Sequence, residues 1–389
     1  MNRQPLACAH GLESALPSRG QKGAVSPASL VTKSFDVLVA GGGPAGAVAA
    51  LDLSRRGFRV ALIEQSAYEN VRVRETLPPE MRRPFVELGV WDRFLSSNPL
   101  ESYGIRSAWE TPAARHHDFL NNPYGCGWHV DRARFDAMLA GAAADAGAEL
   151  LLSATVKSCT MTGGQCLLDV AHDKNNVTFS GRMLLDATGR KALLASRLGA
   201  QADVVDRLIG AVTFCKLSEP AQWALIEAVE EGWWYSAPLP DGRMVYAYMT
   251  DSDLWNADIW HELMELSPLT FERAGCRRIP PPSLIVSAGS LVRRPVVGAN
   301  WVATGDAALA FDPLSGQGVL KSIETGTRCA AAIARYFTGD PSALKSYDSW
   351  VQETYNAYLS ERRQFYFAVL RWPNSQFWRR RQSSDERLP

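Results

Sequence analysis

The stretch Ser34-Phe-Asp-Val-Leu-Val-Ala-Gly-Gly-Gly-Pro-Ala-Gly-Ala-Val-Ala-Ala-Leu-Asp-Leu-Ser-Arg-Arg-Gly-Phe-Arg-Val-Ala-Leu-Ile-Glu-Gln65 decides the fold of this chain. Its hydrophobic pattern predicts a buried strand, a tight turn, a helix and a second strand. Gly41, Gly43 and Gly46 follow the first strand in the spacing G-x-G-x-x-G and open the helix. This order of elements is typical of a βαβ unit that binds a dinucleotide.

Each glycine of this turn is expected to have its own role. Gly41 permits the sharp turn, Gly43 lets the backbone approach a pyrophosphate, and Gly46 lets the helix pack closely on the sheet. The helix N-terminus offers N–H groups and a partial positive charge to the phosphates. Glu64 closes the second strand, where its carboxylate can accept hydrogen bonds from an adenosine ribose. Together these positions predict a dinucleotide site.

The composition is that of an ordinary globular protein. The chain has 389 residues, with 41 Lys and Arg against 41 Asp and Glu, so its formal net charge is zero. This balance argues against a nucleic-acid partner, which would need a clustered basic excess. No apolar run reaches the length of about 18 residues that a membrane span needs. Seven scattered cysteines without a C-x-x-C pair favour a reducing cytoplasm over a disulfide framework, and no metal site is expected.

The alternation of strand and helix patterns predicts an α/β protein with three parts. These are a Rossmann-like nucleotide-binding domain with a parallel sheet, an inserted and mainly antiparallel substrate-binding sheet, and a C-terminal helical segment. A helix is predicted near residues 220–229 of the inserted part. The predicted boundaries are a disordered tail at 1–33, the nucleotide-binding domain at 34–98, 130–205 and 285–345, the substrate-binding domain at 99–129 and 206–284, and the helical segment at 346–389.

Three separated motifs resemble those of a known superfamily. They are the glycine turn with Glu64, the stretch Asp186-Ala-Thr-Gly189, and Gly305-Asp306 followed by Asp312-Pro-Leu-Ser-Gly-Gln-Gly318. On these motifs the chain resembles the FAD-dependent monooxygenase and halogenase superfamily, which has the p-hydroxybenzoate hydroxylase-like fold. The resemblance covers residues 34–381 and implies that the nucleotide-binding domain is an FAD-binding domain.

The resemblance also implies which residues hold the flavin. Asp306 would bind the ribityl chain, and Arg132 would reach the ribityl or phosphate region, although Arg132 could instead form a salt bridge at a helix terminus. The loop at 313–318 would cover the edge of the isoalloxazine, where backbone N–H groups at the start of a helix can face an anionic reduced flavin. The loop residues assigned to the cofactor are Pro313, Gly316, Gln317 and Gly318.

Within the superfamily, three local sequences are similar to the halogenase-like flavoproteins that accompany cysteine tryptophylquinone enzymes. They are Glu75-Thr-Leu-Pro-Pro79, Gly127-Trp-His-Val-Asp-Arg132 and Trp233-Trp-Tyr-Ser-Ala-Pro-Leu-Pro240. This resemblance implies action on a tryptophan of a partner protein during quinone cofactor formation. One departure is Arg74, which stands where the pattern has glycine and predicts an altered loop beside the flavin.

True halogenases resemble the chain but differ from it at two places. They need an active-site lysine downstream of the G-E-x-x-x-P loop, and this chain has no lysine in residues 34–156. They also carry W-x-W-x-I-P, whereas here Tyr235 and Ala237 occupy the third and fifth positions. Both differences point away from halogenation.

The candidate catalytic residues are His129 and Glu75, each with a structural alternative. His129 has a near-neutral pKa in its ordinary range, which suits proton transfer, but it could be a structural hydrogen-bonding residue. Glu75 could orient a substrate or pair with an arginine. Trp233, Trp234 and Tyr235 could line an aromatic pocket, or they could pack between the sheet and the flavin domain.

These observations lead to an FAD-dependent oxidoreductase as the expected function. The favoured reaction is hydroxylation of an aromatic small molecule or of a tryptophan in a peptide, and a quinoprotein precursor is the expected partner. The electron source is NAD(P)H or a partner reductase, because the sequence contains no second G-x-G-x-x-G. Two alternatives stay open, a flavin-dependent reductase of isoprenoid double bonds and a flavin-binding maturation factor without turnover.

Overall fold

An eight-stranded sheet forms the centre of the protein. The computed structural model describes residues 31–73, 75–173, 175–216 and 221–383. The strands of this sheet are β1 (Val31–Ala40), β2 (Val60–Ile63), β8 (Glu149–Leu151), β9 (Thr155–Thr162), β10 (Gln165–His172), β11 (Asn175–Asp186), β19 (Val297–Gly298) and β20 (Trp301–Ala303). The order is β19-β20-β11-β1-β2-β8, and β10 and β9 branch from β11. Strands β20, β11, β1, β2 and β8 are parallel.

The parallel strands are buried on both faces, as their continuous apolar sequences require. Residues 37–40 of β1 are fully buried. Helix α1 (Pro44–Arg55) follows the glycine turn with Pro44 in its first turn, where the missing N–H costs no helical hydrogen bond. It packs between α4 (Arg132–Asp145) and α8 (Gly318–Phe337). The predicted α/β fold with its βαβ unit is confirmed.

A second, seven-stranded sheet forms the inserted part and is mainly antiparallel, as predicted. Its order is β17-β13-β16-β15-β14-β5-β6, and only the pair of β14 with β5 is parallel. The strands are β5 (Gly104–Ala108), β6 (Arg115–Asp118), β13 (Leu208–Lys216), β14 (Trp223–Val229), β15 (Gly232–Pro238), β16 (Arg243–Asp251) and β17 (Leu284–Ser287). We call this the substrate sheet.

The helix predicted near residues 220–229 is wrong where the structure describes this segment. Residues 223–229 form β14, which pairs with β15 on one side and with β5 on the other. Backbone pairing on both edges fixes an extended conformation, which overrides the local helical preference of Ala224, Leu225 and Glu227.

Two three-stranded sheets and shorter helices complete the fold. One small sheet has the order β3-β7-β4 and the other β12-β18-β21. Their strands are β3 (Thr76–Leu77), β4 (Leu100–Ser102), β7 (Gly127–His129), β12 (Gln201–Val204), β18 (Leu291–Arg294) and β21 (Leu309–Ala310). The shorter helices are α2 (Arg82–Glu87), α3 (Trp91–Ser96), α5 (Leu193–Arg197), α6 (Trp260–Glu265) and α7 (Pro268–Arg273).

The C-terminal segment is helical, as predicted, and it docks on the rest of the chain. Its helices are α9 (Ala343–Phe367) and α10 (Gln376–Gln382). Two arginines of the C-terminal run bind acidic residues at the end of β16. Arg381 is buried and contacts Asp251 at 2.6 Å, and Arg380 contacts both Asp251 and Asp253. These charges therefore fasten α10 to the substrate sheet.

The N-terminal boundary differs from the prediction by three residues. Strand β1 begins at Val31, because Val31 and Lys33 pair with β11, and the Lys33 ammonium lies 2.7 Å from the Glu149 carboxylate. Residues 1–30 of the predicted tail, together with Arg74, lie outside the described residues. Among the helices that the structure does describe, none has the length and apolar content needed to cross a membrane.

We predict that Arg381→Ala lowers the stability of the protein. The change leaves the buried Asp251 carboxylate with only Arg380 as a partner, and breaking one half of a buried ion pair costs about 3 kcal/mol. Thermal unfolding followed by circular dichroism measures the effect as a lower midpoint. Arg379→Ala, at an exposed position of the same helix, is the control and should leave the midpoint unchanged. Equal midpoints for the two variants would contradict the anchoring role of Arg381.

Candidate functional site

The sequence motifs converge on one edge of the parallel sheet. Gly41 follows β1, Glu64 follows β2, and Asp186 ends β11. Ala40 pairs with both Ile63 and Asp186, so these strand ends lie side by side. The Gly305-Asp306 turn comes just after β20, which pairs with β11 at the same edge. Ligands of open α/β sheets bind outside the carboxyl ends of the strands, so the edge is the candidate site.

The three motif glycines of the turn have different surroundings. Gly41 has a φ of +106°, and a Cβ added there would collide with the Ala187 carbonyl oxygen. A Cβ on Gly46 would collide with the Gly41 carbonyl oxygen. Gly43 has an ordinary φ of −71°, and an added Cβ would meet no protein atom within 4 Å. Protein packing thus requires glycine at the first and third positions, whereas the second faces open space.

Glu64 lies beside the glycine turn and is buried. Its Oε2 accepts a hydrogen bond from the Gly42 N–H at 2.8 Å, and its Oε1 accepts from Ser66 and from Arg72. A carboxylate has about four lone-pair sites, so Oε2 keeps acceptor capacity for a ribose hydroxyl. The carboxylate therefore has a structural role in the turn and can still serve a nucleotide.

Arg132 belongs to a buried ion network that leads to the same turn. Asp131 caps α4, and Arg132 in its first turn pairs with Asp136 at 3.0 Å. Asp136 also accepts from Arg72, which binds Glu64. Arg132 Nη1 donates to the Val73 carbonyl as well. The Arg132–Asp136 pair is the salt bridge that the sequence left open as an alternative role for Arg132. The bond to Val73 also places the guanidinium at the base of the loop that follows β2.

Asp306 and Arg190 lie at the opposite end of the edge. The Asp306 carboxylate is 14% exposed and lies 3.5 Å from Arg190. Arg190 also donates to the carbonyls of Gly289 and Phe311. Asp186 accepts hydrogen bonds from the N–H groups of Leu194 and Ala195 and so holds the segment after the Asp-Ala-Thr-Gly motif.

The tip of the loop predicted to cover the flavin is exposed to solvent. We call residues 312–318 the flavin loop. Pro313 begins a short 3₁₀ turn, and Gly316 has a φ of +62°, a backbone conformation that favours glycine. Gly316 and Gln317 are exposed, and Gly318 begins α8. The N–H groups of Gly316 and Gln317 are bonded within the loop, to the Pro313 carbonyl and to Ser315 Oγ, so the contact of this loop with a flavin stays a prediction.

A chain of polar side chains joins the small sheet β3-β7-β4 to the substrate sheet. Thr76 Oγ1 lies 2.8 Å from His129 Nδ1 and 2.6 Å from the Tyr235 hydroxyl. His129 is completely buried, and its Nε2 finds no hydrogen-bond partner among the described residues. Glu75, also buried, directly precedes Thr76. Sequence reasoning missed Thr76, because nothing in a Glu-Thr-Leu triplet indicates a contact across 159 positions.

Burial keeps His129 neutral. The loss of hydration, with a smaller contribution from the charge of Arg273, lowers the pKa of His129 to about 3. A neutral imidazole has one donor and one acceptor nitrogen, so it can pass a hydrogen bond between Thr76 and a group at Nε2. Burial also raises the pKa of the Tyr235 hydroxyl, which stays protonated.

The three aromatic residues of β15 do not share one face. Trp233 and Tyr235 face the C-terminal helices and the flavin domain, with Trp233 1% exposed. Trp234 points to the other face, where it packs against Tyr248 and Trp260. The alternation of side chains along a strand requires this separation. Trp234 is therefore removed from the predicted aromatic pocket, because its side chain packs into the apolar cluster on the other face of the sheet.

The structure also locates residues beyond the motifs and tests for a metal site. Arg72, Asp136 and Thr76 support the candidate site, and only their three-dimensional proximity identifies them. In the described ranges, no three His, Cys, Asp or Glu side chains come close enough to hold a metal ion.

Comparison with known proteins agrees with this geometry. Residues 34–361 match the family described as FAD binding domain. The chain is a member of this family of flavin-dependent oxidoreductases, and the open Gly43, the acceptor at Glu64 and the helix starts at the sheet edge fit a dinucleotide such as FAD.

Three known proteins are similar to this chain in sequence or in fold. A putative FAD-dependent oxidoreductase, LodB of Marinomonas mediterranea, is 28% identical over 90% of this chain and 97% of its own length. The flavin-dependent halogenase CmlS has the same fold with a TM-score of 0.81, 24% identity and coverage of 91% of this chain and 68% of its own. The peptidyl tryptophan dihydroxylase QhpG, essential for tryptophylquinone cofactor biogenesis, gives a TM-score of 0.76 at 21% identity over 90% of this chain and 79% of its own. The predicted superfamily is thus confirmed.

We predict that Gly43→Ala weakens FAD binding without destabilising the protein. The added methyl group meets no protein atom but occupies the space through which a pyrophosphate would approach the backbone. FAD fluorescence quenching should show a dissociation constant raised at least about tenfold, a change of 1.4 kcal/mol. The melting temperature of the apoprotein should stay unchanged. Gly46→Ala is the contrasting variant and should lower that temperature, because its methyl group collides with Gly41. Unchanged FAD affinity in Gly43→Ala would contradict this site.

We predict that His129 makes the protein less stable in mild acid. Its folded pKa of about 3 lies below the unfolded value near 6.5, so the unfolded chain binds more protons between these values. Stability is therefore full above pH 6.5 and decreases by about 1.4 kcal/mol per pH unit below it. Urea unfolding from pH 7 to 5 measures the slope. His129→Gln should have a shallower slope than the wild type, and equal slopes would show that His129 is not buried in its neutral form.

Proposed function

We propose that this protein is an FAD-dependent monooxygenase that hydroxylates an aromatic ring, presented as a tryptophan of a partner peptide. The aromatic substrate class is supported by the likeness to QhpG, which acts on a peptidyl tryptophan. The peptide would belong to a quinoprotein precursor. The similarity to LodB, over almost its whole length, supports the broader assignment to flavin oxidoreductases.

The polar chain of His129, Thr76 and Tyr235 is the observation that carries the proposal. Thr76 follows the loop that crosses the carboxyl edge of the parallel sheet, and Tyr235 belongs to the inner face of the substrate sheet. Thr76, Tyr235 and His129 Nδ1 satisfy one another, but a buried ring nitrogen without a partner, as at His129 Nε2, is costly. In this proposal a substrate atom satisfies His129 Nε2, which has no hydrogen-bond partner among the described residues.

In this proposal the protein orients its substrate and excludes water. Bound FAD supplies the oxygen activation once it has been reduced. His129 holds Thr76 as a neutral partner, and Thr76 in turn fixes the Tyr235 hydroxyl toward the ring to be hydroxylated. NAD(P)H or a partner reductase supplies the electrons.

Hydroxylation is favoured over halogenation by the side chains that the site contains. A hypohalous oxidant would need a lysine near the flavin, and residues 34–156 contain none. Residues 313–324, which form the flavin loop and the start of α8, contain one lysine, Lys321. Its ammonium pairs with Glu324 at 2.6 Å. The third position of the aromatic motif carries Tyr235, whose hydroxyl binds Thr76 instead of providing an indole face.

The test uses the holoprotein with indole and with a tryptophan-containing peptide. Under ¹⁸O₂ and with chemically reduced flavin, the product should contain one ¹⁸O atom per hydroxylation, both with and without added bromide. A brominated product would instead indicate a halogenase, and anaerobic reduction of a prenyl chain would indicate the isoprenoid reductase. If holoprotein reacts with none of these substrates, the maturation-factor alternative gains support.

We predict that Tyr235→Phe lowers kcat/KM about tenfold, because a lost hydrogen bond in a buried site costs about 1 to 2 kcal/mol. Initial rates of peptide oxygenation at varied peptide concentration measure this change. Tyr246→Phe removes a buried hydroxyl from the outer face of the same sheet and should leave the rate unchanged. A tenfold loss in both variants would mean that general packing of the sheet, and not the Tyr235 hydroxyl, sets the rate.

A further inference from the structure

A buried hydrogen-bond network connects the C-terminal helix α9 to the flavin loop. Its centre is the Asp312 carboxylate, which is 1% exposed and begins the loop. Asp312 Oδ1 accepts from the Leu314 N–H at 3.0 Å and so fixes the turn that contains Pro313. Asp312 Oδ2 accepts from the Tyr366 hydroxyl at 2.7 Å and from Arg362 Nε at 3.3 Å. The conformation of the loop therefore depends on two side chains of α9.

The same helix contacts two of the places where the chain crosses between the flavin domain and the substrate sheet. Arg362 Nη2 donates to Asp206 at 2.8 Å, just before β13 begins. The Tyr358 hydroxyl lies 2.6 Å from Ser290 Oγ, where the chain returns from the substrate sheet, and it accepts from the Asp312 N–H at 2.7 Å. One guanidinium thus serves the buried Asp312 carboxylate and the partly buried Asp206 carboxylate. The burial of Asp312 raises the pKa of its carboxyl.

Tyr366 extends this network into the substrate sheet. Its hydroxyl accepts a hydrogen bond from Trp233 Nε1 at 3.3 Å while it donates to Asp312. The Tyr366 ring is completely buried and packs edge-on against Trp109. This hydroxyl therefore connects the aromatic inner face of the substrate sheet by hydrogen bonds to the loop expected to cover the flavin, in addition to the apolar packing of Leu314 against the same cluster.

We propose that Tyr366 is a positioning residue that couples the packing of Trp233 to the conformation of the flavin loop and so to FAD binding. The coupling runs from the indole N–H through the Tyr366 hydroxyl to Asp312 and then to the backbone of Leu314. The inference rests on FAD binding at this edge and not on the identity of the substrate. Its failure is therefore distinguishable from failure of the proposed monooxygenase reaction.

The test is a double-mutant cycle read out as FAD affinity of the apoprotein. Tyr366→Phe keeps the packed ring but removes the shared hydroxyl, and it should raise the FAD dissociation constant about tenfold. Trp233→Phe removes the donor at the other end and should raise the constant about threefold. Because the hydroxyl is the only link in this mechanism, the double variant should bind FAD like Tyr366→Phe alone. Fluorescence quenching gives the constants, and the visible spectrum of bound flavin gives a second readout.

Tyr246→Phe on the outer face of the sheet is the matched control and should bind FAD like the wild type. Melting temperatures of all apoproteins identify variants that fail to fold. If Tyr366→Phe does not fold, Trp233→Phe alone decides, and wild-type affinity in that variant overturns the proposal. Wild-type affinity and an unchanged flavin spectrum in a folded Tyr366→Phe also overturn it, as do effects of the two substitutions that simply multiply.

Discussion

The close approach of four backbone segments around the first turn of α1 is the constraint on which the rest of the structure depends. Gly41 and Gly46 leave no room for side chains between the glycine turn and Ala187 of the Asp-Ala-Thr-Gly motif. On the other side of this turn, a Cβ on Gly305 would lie 2.6 Å from the Ala45 side chain, and one on Gly326 of α8 would collide with the Ala45 carbonyl. Interiors this dense do not tolerate an extra methyl group without rearrangement. Motifs far apart in sequence are thus forced into one site because their glycines surround the same helical turn.

This crowding explains why the sequence carries clear signals for the nucleotide end of the site. Glycine spacing, an acidic residue after β2 and helix starts are local signals, and each follows from the backbone geometry of one segment. The same local reasoning predicted a helix start at the loop 313–318, and α8 begins there at Gly318. It could not show that Arg132 joins Asp136 and Arg72 in a network leading to Glu64, because that depends on how α4 meets the loop after β2.

The substrate side was less predictable for a physical reason. Residues 223–229 have a composition compatible with a helix, and only the strands on both sides make them extended. Trp233 and Trp234 are adjacent in sequence but belong to separate clusters, because β15 places them on opposite faces. Thr76 lies in a motif that does not indicate its contact, and Tyr366 lies in no motif; both are identified by hydrogen bonds that span more than a hundred positions. Long-range polar contacts of this kind depend on the register of whole sheets, which no single stretch encodes.

The two buried polar networks have different roles. One holds the glycine turn in place, and the other connects the flavin loop to the substrate sheet. The network of Arg132, Asp136 and Arg72 pairs opposite charges and supports the glycine turn, where rigidity favours nucleotide binding. Around Asp312, by contrast, one guanidinium serves two carboxylates, the Tyr366 hydroxyl donates to the Asp312 carboxylate, and the Tyr358 hydroxyl accepts from the Asp312 N–H. Hydroxyls rotate and can both donate and accept, so such a network can transmit a change of packing from one partner to the next. The structure therefore places its rigid contacts at the glycine turn, and it places its adjustable contacts where the flavin loop meets the substrate sheet.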